Sequence, residues 1–168
     1  MKLRRVGIYP GTFDPVHPGH IAFALEALRA CQLDEIVFMP EQSPREKQNV
    51  TGLAQRVMLL EQTVAATNGL RVMQLDANRF TVAGTLPELR RLFPGTELTL
   101  LIGSDVVRTF LYRWEGLDVL LNEVRLVIGM RTGDMPDEMT AIIQQLAKAY
   151  DIAISHTIVH TEQAHMAS

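Results

Sequence analysis

Two histidines lie three residues apart in the stretch "GTFDPVHPGH", between the apolar run "VGIY" and the helix-like pattern "IAFALEALRAC". At this spacing His17 and His20 can aim both imidazoles at one point, and Gly11 and Gly19 let the backbone approach a ligand closely. A helix that begins near Gly19 or His20 presents unpaired N–H groups and a partial positive charge, which suit a phosphate. Two ring donors beside such a helix start would stabilise charge that develops on a phosphoryl group, without a strong nucleophile.

Short β-branched runs alternate with amphipathic stretches along the whole chain, which places the histidine pair at the first strand-to-helix turn. This alternation predicts an α/β fold, a doubly wound parallel sheet of five or six strands, in which ligands bind outside the carboxyl ends of the strands. With 168 residues and no break in composition, we expect a single domain over residues 1–168. The predicted strands are Val6–Tyr9, Glu35–Met39, Leu70–Leu75, Leu98–Ile102, Val124–Met130 and a weaker Ile152–Ile154.

Local signals predict where two later helices begin. "TLPELRRLF" carries the capping-box spacing from Thr85 to Glu88, with Pro87 in the first turn. "MPDEMTAIIQQLAKAY" has Pro136 near its start and a lysine near its end, which suits the helix dipole. In the first turn of the chain, we expect Asp14 to cap backbone N–H groups rather than to act as a base.

A metal site is the alternative interpretation of the histidines. "HTIVH" places His156 and His160 four residues apart. If Ile152–Ile154 is a parallel strand, His156 emerges at the same edge as His17 and His20, and four histidines could converge. Neither cluster contains an acidic or cysteine ligand, so the residue types favour no metal.

Bulk composition narrows the possible partners. The chain has 16 Lys and Arg against 19 Asp and Glu, and no basic stripe, so we expect no nucleic-acid partner. The single cysteine, Cys31, lies on the apolar face of the first helix pattern and is expected to be buried. No stretch is long enough for a membrane span, and the first apolar run is too short for a signal peptide. We therefore expect a cytoplasmic protein with no membrane partner.

"GTFDPVHPGH" resembles the signature of the nucleotidyltransferase superfamily, whose H-x-G-H motif would be His17 to His20. The resemblance implies a Rossmann-like fold and transfer of a nucleoside monophosphate from a triphosphate to a phosphate-bearing acceptor, with release of pyrophosphate. The chain is most similar to nicotinate-nucleotide adenylyltransferases, which join ATP to nicotinate mononucleotide in NAD biosynthesis. Four further stretches carry this similarity: "DEIVFMPEQSPREKQN", "QRVMLLEQTV", "RFTVAGTLPELRRLFPGTEL" and "LLIGSDVVRTFLYRWEGLDVLL".

The turn chemistry and the resemblance together assign roles to particular residues. Catalytic roles are expected for His17, His20 and Lys47. Acceptor binding is expected for Thr81 and Trp114, the tryptophan offering an aromatic face to the nicotinate ring. Magnesium would arrive with ATP, because no carboxylate cage is visible. Expected ATP-binding residues are Gly11, Thr12, Phe13, Gly19, His20, Gly103, Asp105, Ser155 and Thr157, and Arg108, Arg113 and Arg131 are candidates for the acceptor phosphate.

The chain departs from the resembled family at two motifs. Glu46 stands where a histidine is expected before Lys47. "ISHTIVH" is matched to a motif Ile-Ser-Ser-Thr-x-x-Arg that opens a phosphate-binding helix, with His160 at the arginine. Losing one charge-assisted contact would lower the rate by about one to two decades. The alternatives are therefore a nucleotidyltransferase with another acceptor, such as phosphopantetheine, or a catalytically weakened nucleotide-binding protein.

Overall fold

The chain forms one sheet of six parallel strands in the order β3-β2-β1-β4-β5-β6. A computed structural model describes residues 2–42, 50–75, 77–112 and 114–160. The expectation of a doubly wound parallel sheet is confirmed. The strands are β1 (Arg5–Gly11), β2 (Glu35–Pro40), β3 (Leu70–Val72), β4 (Glu97–Gly103), β5 (Arg125–Gly129) and β6 (His156–Val159).

Helices cover both faces of the sheet, because successive strand residues point to opposite sides and both sides are apolar. In "LTLLIG", Leu100 packs into one buried cluster and Leu101 into the other. No helix of the described ranges is long and apolar enough to cross a membrane. The helices are α1 (Pro18–Ala30), α2 (Leu53–Val64), α3 (Val82–Leu92), α4 (Ser104–Thr109), α5 (Leu117–Glu123) and α6 (Pro136–Tyr150), with a short 3-10 turn at Phe110–Tyr112.

The strand order reverses between β1 and β4. From β1 the chain adds strands on one side, and from β4 it adds them on the other. The carboxyl ends of these two neighbouring strands, at Gly11 and Gly103, therefore flank a crevice of the kind in which open α/β sheets bind ligands.

The last strand begins four residues later than predicted, so the expectation for Ile152–Ile154 is wrong. Helix α6 ends where Asp151 adopts a left-handed conformation with φ 54°. The N–H of Ile152 still donates to Ala147 O at 3.1 Å, which keeps this residue in the helix cap. The pairing with β5 begins where Leu126 N donates to Ser155 O at 2.9 Å, and β6 runs from His156.

Helix α3 also differs from its prediction, because it begins at Val82 rather than at the capping box from Thr85 to Glu88. Thr81 is its N-cap, and its hydroxyl accepts a hydrogen bond from Gly84 N at 3.1 Å. Pro87, read as a first-turn residue, lies in the helix interior. The N-cap of α1 is His17, just before the predicted start. Cys31 is half-buried at the end of α1, less enclosed than expected.

Candidate active site

The two histidines form a reciprocal cap at the start of α1. His17 Nδ1 accepts a hydrogen bond from Gly19 N at 3.1 Å, and His20 Nδ1 accepts one from His17 N at 3.1 Å. Because both Nδ1 atoms act as acceptors, each neutral ring carries its proton on Nε2. The rings stack with centroids 3.8 Å apart. The pair therefore offers two Nε2–H donors from adjacent positions.

One of these donors is buried without a partner. Within the described ranges, Nε2 of His17 is a buried side-chain nitrogen with no hydrogen-bond acceptor. An unsatisfied buried donor costs on the order of 1–3 kcal/mol, so an acceptor atom of a ligand at this point would be stabilised. Burial lowers the pKa of His17, and the guanidinium of Arg131 lowers it further. The ring is thus a neutral donor suited to an anionic oxygen.

Phe13 packs beneath the histidine pair. Its side chain is buried, lies 5.1 Å from Tyr9 and 5.0 Å from His20 by ring centroids, and its backbone has φ 49°. A Cβ added at Gly11 would lie 3.0 Å from the Phe13 ring, which explains the glycine there. Because the ring is enclosed, any contact of Phe13 with ATP would come from its backbone, as it would for Gly11.

The end of β4 contributes a charged pair to the same edge. Asp105 lies on α4 and accepts a hydrogen bond from Arg131 Nε at 3.2 Å. A Cβ added at Gly103 would lie 2.6 Å from Asp105 Oδ1 and 3.3 Å from Arg131 Nη2, so a side chain there would displace the Asp105 carboxylate. Because β1 and β4 are neighbouring strands, their carboxyl ends bring this pair to the same crevice as the histidine turn, and the charge of Arg131 acts on the pKa of His17.

Asp134 is a supporting residue that sequence reasoning missed. It accepts hydrogen bonds from Arg131 N at 2.5 Å, from Arg108 Nη2 at 2.6 Å and from the hydroxyl of Ser104. Burial opposes ionisation of Asp134, but the Ser104 and Arg108 hydrogen bonds outweigh it and lower its pKa. The carboxylate thus orders the turns after β4 and β5. The sequence signal that could have pointed to Asp134 is its position in the turn "RTGD", which directly follows a predicted strand.

Asp134 and Glu138 together occupy the guanidinium of Arg108, which donates to Glu138 Oε1 at 2.6 Å. This candidate for the acceptor phosphate is therefore engaged in holding α4 to α6. Arg113, the second candidate, lies outside the described residues. Arg131, the third, lies in the crevice.

The two expected acceptor residues lie on neighbouring segments. A Cβ added at Gly116 would lie 3.1 Å from Val82 Cγ1, so the segment after Trp114 packs against the start of α3, where Thr81 is the cap. Trp114 is half-buried, with its Nε1 donating to Thr109 Oγ1 at 3.0 Å. Its ring meets Phe110 edge-on at 5.0 Å.

Ser155 and Thr157 lie at the opposite edge of the sheet from the histidine pair. Ser155 precedes β6, and Thr157 is the second residue of that strand and pairs with Val127 in the middle of β5. The two hydroxyls line a cavity of about 160 Å³ that also contacts Arg5 and Thr99. They do not join the phosphate turn, because "ISHTIVH" opens a strand here rather than a helix.

The alternative in which four histidines converge is wrong for the same reason. His156 begins β6 at the amino edge, while His160 follows the strand at the carboxyl edge. Four residues of strand separate them by about 13 Å. Among the described residues, no three His, Cys, Asp or Glu side chains are grouped so as to hold a metal ion. Lys47 and Glu46 lie outside the described residues.

A parallel sheet with an H-x-G-H turn at its reversal point defines a nucleotidyltransferase, and the family model described as "Cytidylyltransferase-like" matches residues 8–163. The chain is 34% identical over 137 residues to nicotinate-nucleotide adenylyltransferase of Bacillus subtilis, covering 78% of this chain and 71% of the relative. It is 32% identical over 168 residues to the probable enzyme of that name from Gemmatimonas aurantiaca, covering 98% and 77%. The chain therefore belongs to the nicotinate-nucleotide adenylyltransferase family of the cytidylyltransferase-like proteins, which confirms the resemblance.

Solved structures share the fold. Plasmodium falciparum nicotinic acid mononucleotide adenylyltransferase, complexed with NaAD, superposes with a TM-score of 0.74 at 14% identity, over 95% of this chain and 76% of that chain. A putative nicotinate-nucleotide adenylyltransferase from Vibrio parahaemolyticus gives a TM-score of 0.58 at 17% identity, over 88% and 83%.

Proposed function

We propose that this protein transfers AMP from ATP to nicotinate mononucleotide and releases pyrophosphate, a step of NAD biosynthesis. The observation that carries the proposal is the buried, unsatisfied Nε2–H of His17 at the start of α1, next to the second donor from His20. Membership of the nicotinate-nucleotide adenylyltransferase family supports the choice of acceptor.

In this mechanism a phosphate oxygen of the acceptor attacks the α-phosphorus of ATP in line. The new P–O bond joins acceptor and AMP, while the bond to the bridging oxygen breaks and its electron pair leaves on pyrophosphate. His17 and His20 donate from Nε2 to oxygens of the α- and β-phosphates as negative charge builds there, and neither forms a covalent intermediate. Magnesium enters bound to ATP as part of the substrate, and the positive charge of Lys47, which follows β2 in the sequence, would stabilise the phosphates.

The remaining residues of the crevice fit the two substrates. The backbone of Gly11 to Phe13 and the start of α1 face the triphosphate, as helix N-termini favour anions. Gly103 leaves room beside Asp105, which contacts the ribose. Arg131, although it holds Asp105, brings positive charge toward the phosphates. Ser155 and Thr157 take no part, because they lie at the other edge.

The acceptor ring lies against Trp114 in this proposal. The indole is half-buried and its Nε1 donates to Thr109, so its contribution to acceptor binding would be stacking rather than a hydrogen bond. Stacking of an aromatic base on such a face contributes about 1–3 kcal/mol. Thr81, the cap of α3 beside this segment, orders the acceptor side.

The test is pyrophosphate release from MgATP with nicotinate mononucleotide, nicotinamide mononucleotide and phosphopantetheine offered in parallel. We expect release with nicotinate mononucleotide, and loss of that release in His17→Ala. Release only with phosphopantetheine would assign the other acceptor. MgATP binding without release from any of the three would indicate a nucleotide-binding protein that has lost catalysis.

A further inference from the structure

Arg56 is a buried arginine whose guanidinium donates to four backbone carbonyls of the described residues. Its side chain is on α2, and the residue is 1% exposed. Nε donates to Thr51 O at 2.7 Å, Nη1 donates to Thr12 O and Glu41 O at 2.8 Å each, and Nη2 donates to Gln42 O at 3.3 Å. One side chain therefore satisfies four carbonyls.

These carbonyls belong to three separate parts of the chain that meet at the phosphate turn. Thr12 lies in the turn between β1 and α1. Glu41 and Gln42 follow β2, and Thr51 precedes α2. Arg56 thus joins the turn to both ends of the polar loop after β2.

The same segments are joined a second time by other groups of the turn. Glu41 N donates to Gly11 O at 2.8 Å, and Thr51 N donates to Asp14 Oδ2 at 2.9 Å. Asp14 therefore caps a backbone N–H, as expected, but one that belongs to another segment. The Glu41 carboxylate accepts from Phe80 N at 2.8 Å, next to the cap of α3.

The positive charge of Arg56 is the unusual feature of this hydrogen-bond network. Buried cations are ordinarily paired with a carboxylate, because desolvation of an unpaired charge is costly. Within the described ranges, Arg56 forms no salt bridge, and its acceptors are neutral carbonyls. Its positive charge therefore remains available to an anion placed on the turn that it holds.

We propose that Arg56 is a positioning residue for the triphosphate of ATP. Through Thr12 O it fixes the backbone that faces the phosphates, and its charge, which no carboxylate of the described residues neutralises, favours them. This inference rests on the proposed function, because that function identifies the nucleotide as ATP. It does not depend on which acceptor the enzyme uses.

The test compares Arg56→Lys and Arg56→Gln with Val64→Ala, which removes buried methyl groups at the other end of the same helix. The readouts are MgATP affinity by calorimetry without acceptor, and kcat and KM, at a temperature where circular dichroism shows all variants folded. We expect Arg56→Gln to weaken MgATP binding about ten- to hundredfold and Arg56→Lys less, because lysine keeps the charge but not the fork.

Val64→Ala should bind MgATP within about twofold of wild type despite its lower unfolding temperature, and KM for nicotinate mononucleotide should change little in all variants. Equal MgATP affinity in Arg56→Gln and Val64→Ala would overturn the proposal and leave the proposed function intact. Wild-type protein that binds MgATP but makes no dinucleotide would contradict the proposed function alone. If the Arg56 variants do not fold, Asp14→Ala carries the test: we expect weaker MgATP binding, and unchanged affinity would overturn the proposal.

Discussion

The two edges of the sheet both carry charged and hydroxyl side chains, but they use them differently. At the amino edge, Glu97 binds Arg5 at 2.9 Å and Arg125 at 3.0 Å, so the groups largely compensate one another. At the carboxyl edge, among the residues that the structure describes, His17 keeps a buried donor with no acceptor, and Arg56 donates to backbone carbonyls. A polar cluster whose hydrogen bonds and charges are all paired within the protein stabilises the fold. A cluster that contains an unpaired donor can bind the acceptor atom of a ligand.

Helix direction reinforces this difference. Each helix that follows a strand begins at the carboxyl edge, so helix N-termini, with their partial positive charge, gather there. Helix C-termini, with the opposite sign, lie toward the amino edge. An anionic substrate is therefore favoured beside His17 and disfavoured beside Thr157, even though both neighbourhoods contain donors.

The largest contrast is expected between histidines of the two edges. His20→Ala should lower kcat for pyrophosphate release by about a hundred- to a thousandfold, the effect of removing one preorganised donor. His156→Ala, at the amino end of β6, should leave kcat within about twofold of wild type. Initial-rate assays with MgATP and nicotinate mononucleotide measure both. Similar losses of kcat in the two variants would contradict the assignment of the active site to the carboxyl edge.

Gly103→Ala should produce the next largest effect. The added Cβ would lie 2.6 Å from Asp105 Oδ1, so the carboxylate must move away from its place in the crevice. We expect KM for ATP to rise about tenfold or more, as small displacements in a preorganised site do. Gly52→Ala is the matched control, because a Cβ there meets nothing within 4 Å. An unchanged KM in Gly103→Ala would remove Asp105 from the nucleotide site.

The pKa of His17 links the carboxyl edge to pH. Burial and Arg131 lower this pKa below its ordinary value of 6.5, so the unfolded chain binds the proton more readily. The resulting contribution to stability is fully present above 6.5 and is lost as pH falls from there toward the folded pKa. Protonation also removes the Nδ1 acceptor that caps α1.

NMR titration of the His17 ring should therefore give a pKa below 6.5 in wild type and a higher one in Arg131→Met. His156→Ala serves as the control and should leave the His17 titration unchanged. If the His17 pKa were the same in wild type and in Arg131→Met, the charge of Arg131 would have no effect on His17, which would contradict this prediction.

The smallest effect is expected from the hydroxyls of the amino edge. Ser155→Ala and Thr157→Val should each leave KM for ATP within about twofold of wild type, because both side chains face the cavity beside Arg5. A tenfold rise in either variant would place a nucleotide contact at this edge and contradict the division drawn above.

Much of the fold followed from local patterns. Five of the six strands were predicted near their observed places, because continuous apolar runs such as "LTLLIG" are typical of strands covered on both faces. The start of α6 at Pro136 was also as predicted. The sixth strand was predicted four residues too early. Its predicted residues, Ile152–Ile154, directly follow the left-handed Asp151, which is the C-cap of α6.

The site was predicted in part, for a related reason. His17 and His20 are close in sequence, and their mutual cap is a local structure that turn residues encode. The position of Ser155 and Thr157 depended on where the last strand begins, and because β6 begins at His156 both residues line the cavity beside Arg5 rather than the histidine turn. Arg56 stood in a stretch that carried the resemblance, but neither its role nor that of Asp134 was predicted, because nothing about a single acid or arginine reveals its partners.

By itself, the sequence determined the alternation of strands and helices, the turn that carries the histidines and the family to which the chain belongs. These depend on periodicity and on residues within a few positions of one another. Only the tertiary structure decided that His17 Nε2 is left unsatisfied and that Arg56 reaches Thr12, 44 residues away. Such facts depend on burial and on contacts between distant segments, which exist only once the sheet has assembled and its helices have packed.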